Sequence, residues 1–399
     1  MKKVLLIALA FCATTAWAEV NVEPEEEKKE SEFLSEERIE TGILNNLLEK
    51  VTRVQKENEN KPSYGRKVTD YISIPKVGGY FIGKYAYNSD NEKNKTAGFS
   101  QRLIRFYVDG TILKDFSYRI QLQCNNASFH MKDYYVEWGR FKEVKIKIGQ
   151  YKRAFGFENP MNPWDVGVGD YSQLTKKLTG HNDYVGAENS SNGVRDQGIQ
   201  VQGDLFPIGK DKHRLIHYQV MVANGQGINS GDANSNKDVL GTIQVQPVKG
   251  LFVGFFGWIG KFTSNNITVD RKRFIVGAKY DWRDWTFRAE YGRANGHKIK
   301  DYVAADPTTG TPERWVGTGK ADAFYATVGI PALSWLKVYL KYDLYRDQAN
   351  AETSSSIYTI CPNFQLHKNL QFQLQYNYCD SRLTEQKYHE LWVEAYVRF

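Results

Sequence analysis

Apolar and polar side chains alternate with a period of two along most of the chain after residue 72. The clearest segments are Ser117–Cys124, Val144–Tyr151, Trp335–Tyr345 and Leu370–Tyr378. In the last segment, one set of alternate positions holds Leu, Phe, Leu, Tyr and Tyr, and the other holds Gln, Gln, Gln and Asn. Successive side chains of a β-strand point to opposite faces, so each segment predicts a strand with one apolar and one polar face.

The number and spacing of these segments predict how the strands are arranged. Single-chain bacterial membrane barrels have an even number of antiparallel strands, short turns on one side and long loops on the other. The links here alternate in the same way: most long links are rich in Asn, Asp, Ser and Gly, as at 263–270 and 295–320. The sequence therefore predicts an all-β fold, a 16-stranded antiparallel transmembrane β-barrel with long extracellular loops. Its strands are expected at about 78–88, 99–111, 115–124, 129–139, 143–151, 195–205, 213–223, 238–247, 251–262, 271–282, 285–294, 321–331, 334–345, 356–366, 369–379 and 387–399.

The longest link, Lys152–Val194, follows the fifth segment. It contains Pro160, Pro163, Trp164 and several glycines. Links of this length without a strand pattern are usually functional or disordered. A sixteen-stranded barrel encloses a water-filled channel, so we expect this third loop to fold inward and narrow the channel. A loop exposed at the cell surface is the alternative.

The first eighteen residues have the features of an export signal. Lys2 and Lys3 precede an apolar run, Val4–Phe11, that is too short to span a bilayer. The Ala-Trp-Ala sequence at 16–18 matches the pattern of a signal-peptide cleavage site. These features predict a signal peptide at residues 1–18. Together with the barrel pattern, they predict location in the outer membrane of a Gram-negative bacterium, in contact with its lipid and lipopolysaccharide.

Residues 19–61 differ from the rest of the chain in charge and pattern. They hold 13 acidic and 7 basic residues, a net charge of −6. Because the signal peptide carries +2 and the whole chain +7, residues 62–399 carry +11. Apolar residues at 44, 47, 51 and 54 follow helical spacing. We expect an acidic periplasmic leader at 19–61, either a short helix or coiled coil or a disordered spacer, before a barrel formed by 62–399.

Cysteine count and motifs argue against several other protein classes. Cys124, Cys361 and Cys379 follow the signal peptide, and an odd number cannot form a complete disulfide framework. The sequence lacks the common nucleotide and zinc motifs, so no catalytic residue, metal ligand or cofactor is predicted. Its bases are interleaved with acids, unlike a nucleic-acid-binding patch. Two alternatives to a passive pore remain: a hydrolase that uses His181 or His297 as base, and an adhesin with binding loops.

Three stretches of sequence resemble a known family. They are Gly149–Glu158 at the end of the fifth segment, Arg195–Leu205 at the start of the sixth, and Asn224–Asn229 with Asn236–Val239 in the next long loop. These motifs resemble the phosphate-selective porin O/P family of bacterial outer-membrane porins. With the barrel pattern, the similarity covers about residues 72–399. It implies a sixteen-stranded, homotrimeric porin with an inward-folded third loop.

The predicted inward faces carry many basic residues. A basic side chain facing lipid at mid-bilayer costs about 2–4 kcal/mol, so these residues are expected to face the channel. Bases in a pore favour anions such as phosphate, but the same faces carry nearly as many acids, as in a general non-selective pore. We expect passive diffusion of small hydrophilic solutes with a modest preference for small anions. The candidate pore-lining and anion-binding residues are Arg105, Arg119, Lys145, Lys147, Lys152, Arg153, Lys279, Arg288, Lys337 and Lys341.

Overall fold

The chain divides into two units, residues 1–70 and 71–399, and the features below lie in the second. The predicted signal peptide at 1–18 and the acidic leader at 19–61 fall outside the described residues, except for Glu49. The computed structural model describes that residue and residues 72–90, 97–125, 128–180, 194–264, 266–382 and 384–399.

Within these ranges, sixteen antiparallel strands form a closed barrel in which sequence neighbours pair and the last strand pairs with the first. The predicted sixteen-stranded barrel is confirmed, and each strand end lies within four residues of its predicted position. The strands are β1 (Lys76–Asn88), β2 (Gly98–Ile112), β3 (Phe116–Asn125), β4 (Ser128–Trp138), β5 (Lys145–Lys152), β6 (Arg195–Ile208), β7 (His213–Ala223), β8 (Asp238–Val248), β9 (Leu251–Ser264), β10 (Ile267–Trp282), β11 (Trp285–Asn295), β12 (Lys320–Leu333), β13 (Leu336–Asp347), β14 (Ser354–His367), β15 (Leu370–Ser381) and β16 (Gln386–Arg398).

The link between β9 and β10 is shorter than the sequence pattern predicts. Ser264 ends β9 and Ile267 begins β10, so the long loop predicted at 263–270 is wrong. Phe262 and Val269 pair across the two strands and pack together. Cross-strand contacts between aromatic and β-branched residues stabilise a ladder, and here they extend the hairpin through polar residues that resemble a loop.

Side chains alternate between the barrel interior and its outer surface. Along β15 the polar residues are buried inside, and the apolar residues are exposed outside. The buried set is Gln371, Gln373, Gln375 and Asn377, and the exposed set is Phe372, Leu374 and Tyr376. This arrangement reverses that of a soluble protein and matches a barrel with lipid outside and a polar interior.

The seam between β1 and β16 closes the barrel. Gly79 and Phe399 exchange two backbone hydrogen bonds of 2.9 and 3.0 Å. The Phe399 ring packs against Phe106, with ring centroids 5.7 Å apart. It also lies only 2.7 Å from the position that a Cβ atom on Gly79 would take. A glycine at this position therefore allows the last residue to join the seam.

The links between strands contain a few short elements. Helix α1 lies in the third loop, two 3₁₀ turns follow β11 and β13, and a small hairpin lies between β11 and β12. Among the residues that the structure describes, no helix combines the length and the apolar character required to cross a bilayer. The elements are α1 (Gln173–Leu178), the turns Ile299–Asp301 and Ala351–Thr353, and the paired strands Tyr302–Val303 and Arg314–Trp315.

Candidate functional site: the gap between the third loop and the barrel wall

The third loop, which we call L3, comprises residues 153–194, of which 181–193 lie outside the described residues. Gly156, Gly167 and Gly180 have φ between +84° and +91°, a left-handed backbone that favours glycine. These turns keep the loop within the barrel, where most of its described side chains are buried. The predicted inward folding of the third loop is confirmed.

Carboxylates of the barrel wall hold the backbone of L3. Glu290 on β11 accepts hydrogen bonds from the backbone N–H of Phe157 at 2.6 Å and of Glu158 at 3.1 Å. Asp343 on β13 accepts one from Gln173 N at 2.8 Å, at the start of α1. Backbone amides that are buried away from water require partners. These two inward-facing acids therefore fix the loop.

Side chains of the wall also donate to the carbonyl groups of L3. Arg288 on β11 donates to Val166 O at 3.2 Å, and Asn363 on β14 donates to Gly167 O at 2.8 Å. On β15, the side-chain oxygen of Gln375 accepts a hydrogen bond from the backbone N–H of Gly169. L3 therefore begins at β5 and is attached to the opposite side of the barrel.

Aromatic contacts pack the first part of L3 against β9. The rings of Phe155 and Trp258 lie 5.4 Å apart, and those of Phe157 and Phe256 lie 5.1 Å apart, both edge to face. Such pairs contribute about 0.5–1.5 kcal/mol each beyond the area that they bury. Together with the hydrogen bonds, these ring contacts fix the position of L3 relative to the wall.

A cavity of about 270 Å³ lies between L3 and the wall formed by β3 to β9, and we call it the L3 gap. On the L3 side, the cavity is lined by Ala154, Gly156, Pro160 and Asn162. The charged residues of the lining are three bases and one acid. The remaining lining residues are Arg119, Asp133, Tyr135, Lys147, Tyr151, Lys152, Gln200, Gln202, Gln219, Gln244 and Phe256.

Two of the three bases form ion pairs along the wall. Arg119 donates from Nε and Nη2 to the two carboxylate oxygens of Asp109, both at 2.7 Å. Lys147 Nζ lies 3.0 Å from Glu137 Oε2. Each pair orients a base toward the gap and also cancels much of its charge.

Lys152 is the third base, and it is held differently. Its Nζ donates to the backbone carbonyl groups of Asn159, at 3.2 Å, and of Met161. Carbonyl groups stabilise the ammonium but carry no net charge. The acid of the gap, Asp133, is paired with Arg195 at 2.6 Å. The charged residues that line the gap and the residues paired with them together make four bases and three acids.

Two predicted anion-binding residues lie away from the gap. Arg105 on β2 donates to Tyr80 Oη at 2.8 Å and to a glutamine of β3. Arg153, the first residue of L3, is 1% exposed and donates to Asp196 at 2.7 Å. Its guanidinium carbon lies 4.6 Å from the centre of the Trp258 ring. The structure therefore buries Arg153 at the base of L3.

The other predicted residues lie elsewhere on the inner wall. Arg288 and Lys341 contact L3 backbone carbonyl groups, and Lys341 is also 3.4 Å from Asp343. Three half-buried lysines lie near the short-turn end of the barrel. They are Lys145, Lys279 and Lys337.

Two neighbouring lysines of α1 differ in their ionisation. Burial lowers the pKa of Lys177 to about 8, and its Nζ lies 4.0 Å from the centre of the Tyr345 ring. Burial also lowers the pKa of Lys176, but the attraction of the Asp170 carboxylate in its ion pair outweighs burial, so the pKa is raised. The charge of Lys177 therefore changes just above neutral pH, whereas that of Lys176 is retained.

Four glutamines of the L3 gap are absent from the residues predicted from charge. Gln200 and Gln202 lie on β6, Gln219 on β7 and Gln244 on β8. They occupy the inward positions of the alternating pattern. That pattern, applied to amides as well as to charges, would have identified them.

A comparison with protein families finds a similarity over the first half of the barrel. Residues 76–245, from β1 into β8, match the family "Phosphate-selective porin O and P". Over this range the chain is similar to a family of porins. The predicted family resemblance is confirmed, and the matched range contains the motifs at 149–158, 195–205 and 224–239. No curated protein matches the chain significantly.

Solved structures share the fold of this chain at low sequence identity. An anion-selective porin from Comamonas acidovorans has 12% identity and a TM-score of 0.61, covering 82% of this chain and 99% of that one. The trimer form of OmpT, an outer membrane protein of Vibrio cholerae, has 12% identity and a TM-score of 0.55, covering 82% and 99%. The outer membrane channel DcaP of Acinetobacter baumannii has 13% identity and a TM-score of 0.56, covering 84% and 99%. At these identities the likeness establishes the fold.

Proposed function

We propose that this porin lets small hydrophilic solutes diffuse through the L3 gap with a modest preference for anions such as phosphate. The charge of the gap supports the preference, because its lining contains Arg119, Lys147 and Lys152 but one acid, Asp133. In a narrow passage with low-dielectric walls, surplus positive charge concentrates anions. Most of these bases are paired with acids, so the expected preference is modest.

The reversal potential of the purified porin in a planar bilayer tests this proposal. In a KCl gradient we expect a potential on the chloride side, because the lining of the gap holds three bases and one acid. Lys152→Met should move the potential toward zero. Lys142→Met, on an exposed turn residue, should leave it unchanged. A potential near zero in the unaltered protein would indicate a general diffusion pore, and one on the potassium side would contradict anion preference.

The size of the passage is tested separately. Deletion of residues 160–190 removes much of the chain that narrows the barrel, so single-channel conductance should rise. Unchanged conductance in a folded variant would mean that solutes do not pass beside L3.

We also propose the domain organisation and assembly that the sequence predicts. A signal peptide (1–18) is removed, a leader (19–61) lies in the periplasm, and residues 62–399 form the barrel. The exposed apolar outer surface suits contact with membrane lipid and lipopolysaccharide. A homotrimer is supported by the trimer form of the Vibrio cholerae protein. N-terminal sequencing should find Glu19 first, and cross-linking in membranes should yield trimers; a monomer alone would contradict the assembly.

We propose a channel without catalytic activity. Of the two histidines considered as bases, His181 lies outside the described residues, and His297 stacks on Trp315 with ring centroids 5.0 Å apart. Across the described ranges, no group of three or more His, Cys, Asp or Glu side chains is placed to hold a metal ion. Stable conductance steps in planar bilayers favour a pore, whereas an adhesin or hydrolase would give none.

A further inference from the structure

The L3 gap has a wall of glutamine side chains whose orientation is set by one acid. Gln202 Nε2 donates to Glu137 Oε2 at 2.7 Å. The carbonyl oxygen of Gln202 therefore points the other way, and it accepts hydrogen bonds from Gln200 Nε2 at 2.7 Å and from Gln219 Nε2 at 2.9 Å. Since a carboxylate can only accept hydrogen bonds, Glu137 fixes the donor and acceptor ends of every hydrogen bond in this series.

This direction determines what the wall offers a solute. Gln200 and Gln219 both donate their side-chain N–H groups to Gln202, so their carbonyl oxygens lie at the two ends of this series of hydrogen bonds. Gln200 is 2% exposed, and its Oε1 has no hydrogen-bond partner among the described residues. A buried acceptor without a partner is unfavourable, and a hydroxyl donor would supply the missing hydrogen bond.

A base and two aromatic rings lie beside these acceptors. Tyr135 and Tyr151 meet edge to face, with centroids 5.9 Å apart. Lys147 Nζ lies 4.7 Å from the centre of the Tyr135 ring and 5.3 Å from that of Tyr151. The gap therefore combines hydrogen-bond acceptors, a cation and apolar ring surface within one small volume.

We propose that the L3 gap is a binding site for small hydroxylated organic acids of the size of a sugar acid. The acceptors bind hydroxyl groups, Lys147 and Lys152 attract the carboxylate, and the tyrosine rings contact the carbon skeleton. Inorganic phosphate supplies charge but no carbon skeleton, so it leaves the ring surface unused. This inference rests on the proposed function, in which the gap is the route of diffusion.

Four probes added to chloride solution separate the features of such a ligand. Gluconate has both hydroxyls and charge, glucose has hydroxyls without charge, hexanoate has charge without hydroxyls, and inorganic phosphate has no carbon skeleton. Blocking of the single-channel current gives a Kd for each. We expect gluconate to bind at least about tenfold more tightly than the other three, since two net hydrogen bonds suffice for that factor. Equal or tighter binding of glucose, hexanoate or phosphate would overturn the inference.

Matched variants test the glutamine wall. Gln200→Leu combined with Gln219→Leu should remove the tenfold advantage of gluconate. Gln371→Leu, an inward glutamine of β15 that lines a different cavity, should preserve it. If both variants bind gluconate equally well, the wall has no role and the inference fails. The four-probe comparison uses the unaltered protein and so stands if the double variant does not fold. A chloride-conducting channel that does not discriminate between the probes refutes only this inference, whereas absence of conductance refutes the proposed function.

Discussion

At the scale of single residues, the surroundings of each ammonium decide its charge. Lys176 and Lys177 are adjacent in α1 and share similar burial, and Lys176 forms an ion pair with Asp170. Burial disfavours the charged form of a lysine, and a nearby carboxylate restores it. One lysine is therefore a permanent cation and the other titrates near pH 8.

This difference predicts a pH-dependent selectivity. With a pKa of about 8, Lys177 is about nine-tenths charged at pH 7 and about one-tenth charged at pH 9. Loss of that charge should weaken anion preference as the pH rises, measured as the reversal potential at several pH values. Lys177→Met should reduce the change between pH 7 and pH 9, whereas Lys176→Met should retain it. An unaltered pH profile in Lys177→Met would show that this residue does not influence permeating ions.

At the scale of elements, L3 is stabilised by the wall more than by its own secondary structure. Its helix α1 has six residues, and isolated helices shorter than about 12–15 residues are marginal in water. Ser172 caps the helix through Thr175 N at 3.2 Å, and Asp343 binds the amide of Gln173. The position of the loop is therefore a property of the whole barrel.

Loss of a wall anchor should loosen L3. Glu290→Ala removes the acceptor of two L3 amides and of the Tyr325 hydroxyl, each of which costs about 1–3 kcal/mol when left unpaired. Cys361 is fully buried beside Val166 and Val168 of L3, so its labelling by a water-soluble maleimide reports loop displacement. We expect labelling to accelerate at least about tenfold in a background with the other described cysteines changed to serine.

The control for this measurement is another buried inward acid. Asp322→Ala breaks an ion pair with Arg346 on neighbouring strands, and neither residue is hydrogen-bonded to the described part of L3. It should leave the labelling rate unchanged. Equal acceleration in both variants would indicate general loosening of the barrel, and no acceleration in Glu290→Ala would show that the loop is held without that anchor.

At the scale of the whole molecule, closure depends on the pairing of the first and last strands. The pairing extends from Tyr80 with Arg398 to Asn88 with Glu390, and the backbone bonds of Gly79 complete it. A closed barrel leaves no unpaired strand edge in lipid, where unsatisfied backbone groups are costly. A defect at the seam should therefore affect assembly of the entire protein.

Substitution at the seam tests this expectation. Gly79→Val places a side chain against Arg105 O and the Phe399 ring, both within 2.7 Å of the added Cβ position. Overpacking of this kind costs about 1–3 kcal/mol. The folded fraction, seen as heat-modifiable migration on a gel, should fall several-fold. Gly98→Val, where an added Cβ meets no atom within 4 Å, should fold normally. Normal folding of both variants would contradict a tight seam.

The architecture follows from the sequence because alternation is a local property. Each strand of a lipid-exposed barrel must place apolar side chains outside and polar ones inside, so the strand count and the inward residues can be read directly. The inward fold of L3 could be predicted for a similar reason, since a long polar link above a wide lumen has space to enter it. The error at 263–270 arose where strand residues have the composition of a loop.

Only the tertiary structure decided which inward residues remain available to a solute. The alternating pattern treats Lys147, Arg288 and Glu290 alike, but L3 leaves the first in the gap and binds the other two. Glu290 and Phe157 are far apart in sequence, and their contact exists because the barrel closes. Periodicity specifies the face of a side chain, whereas its partners depend on which distant segment of chain folds against it.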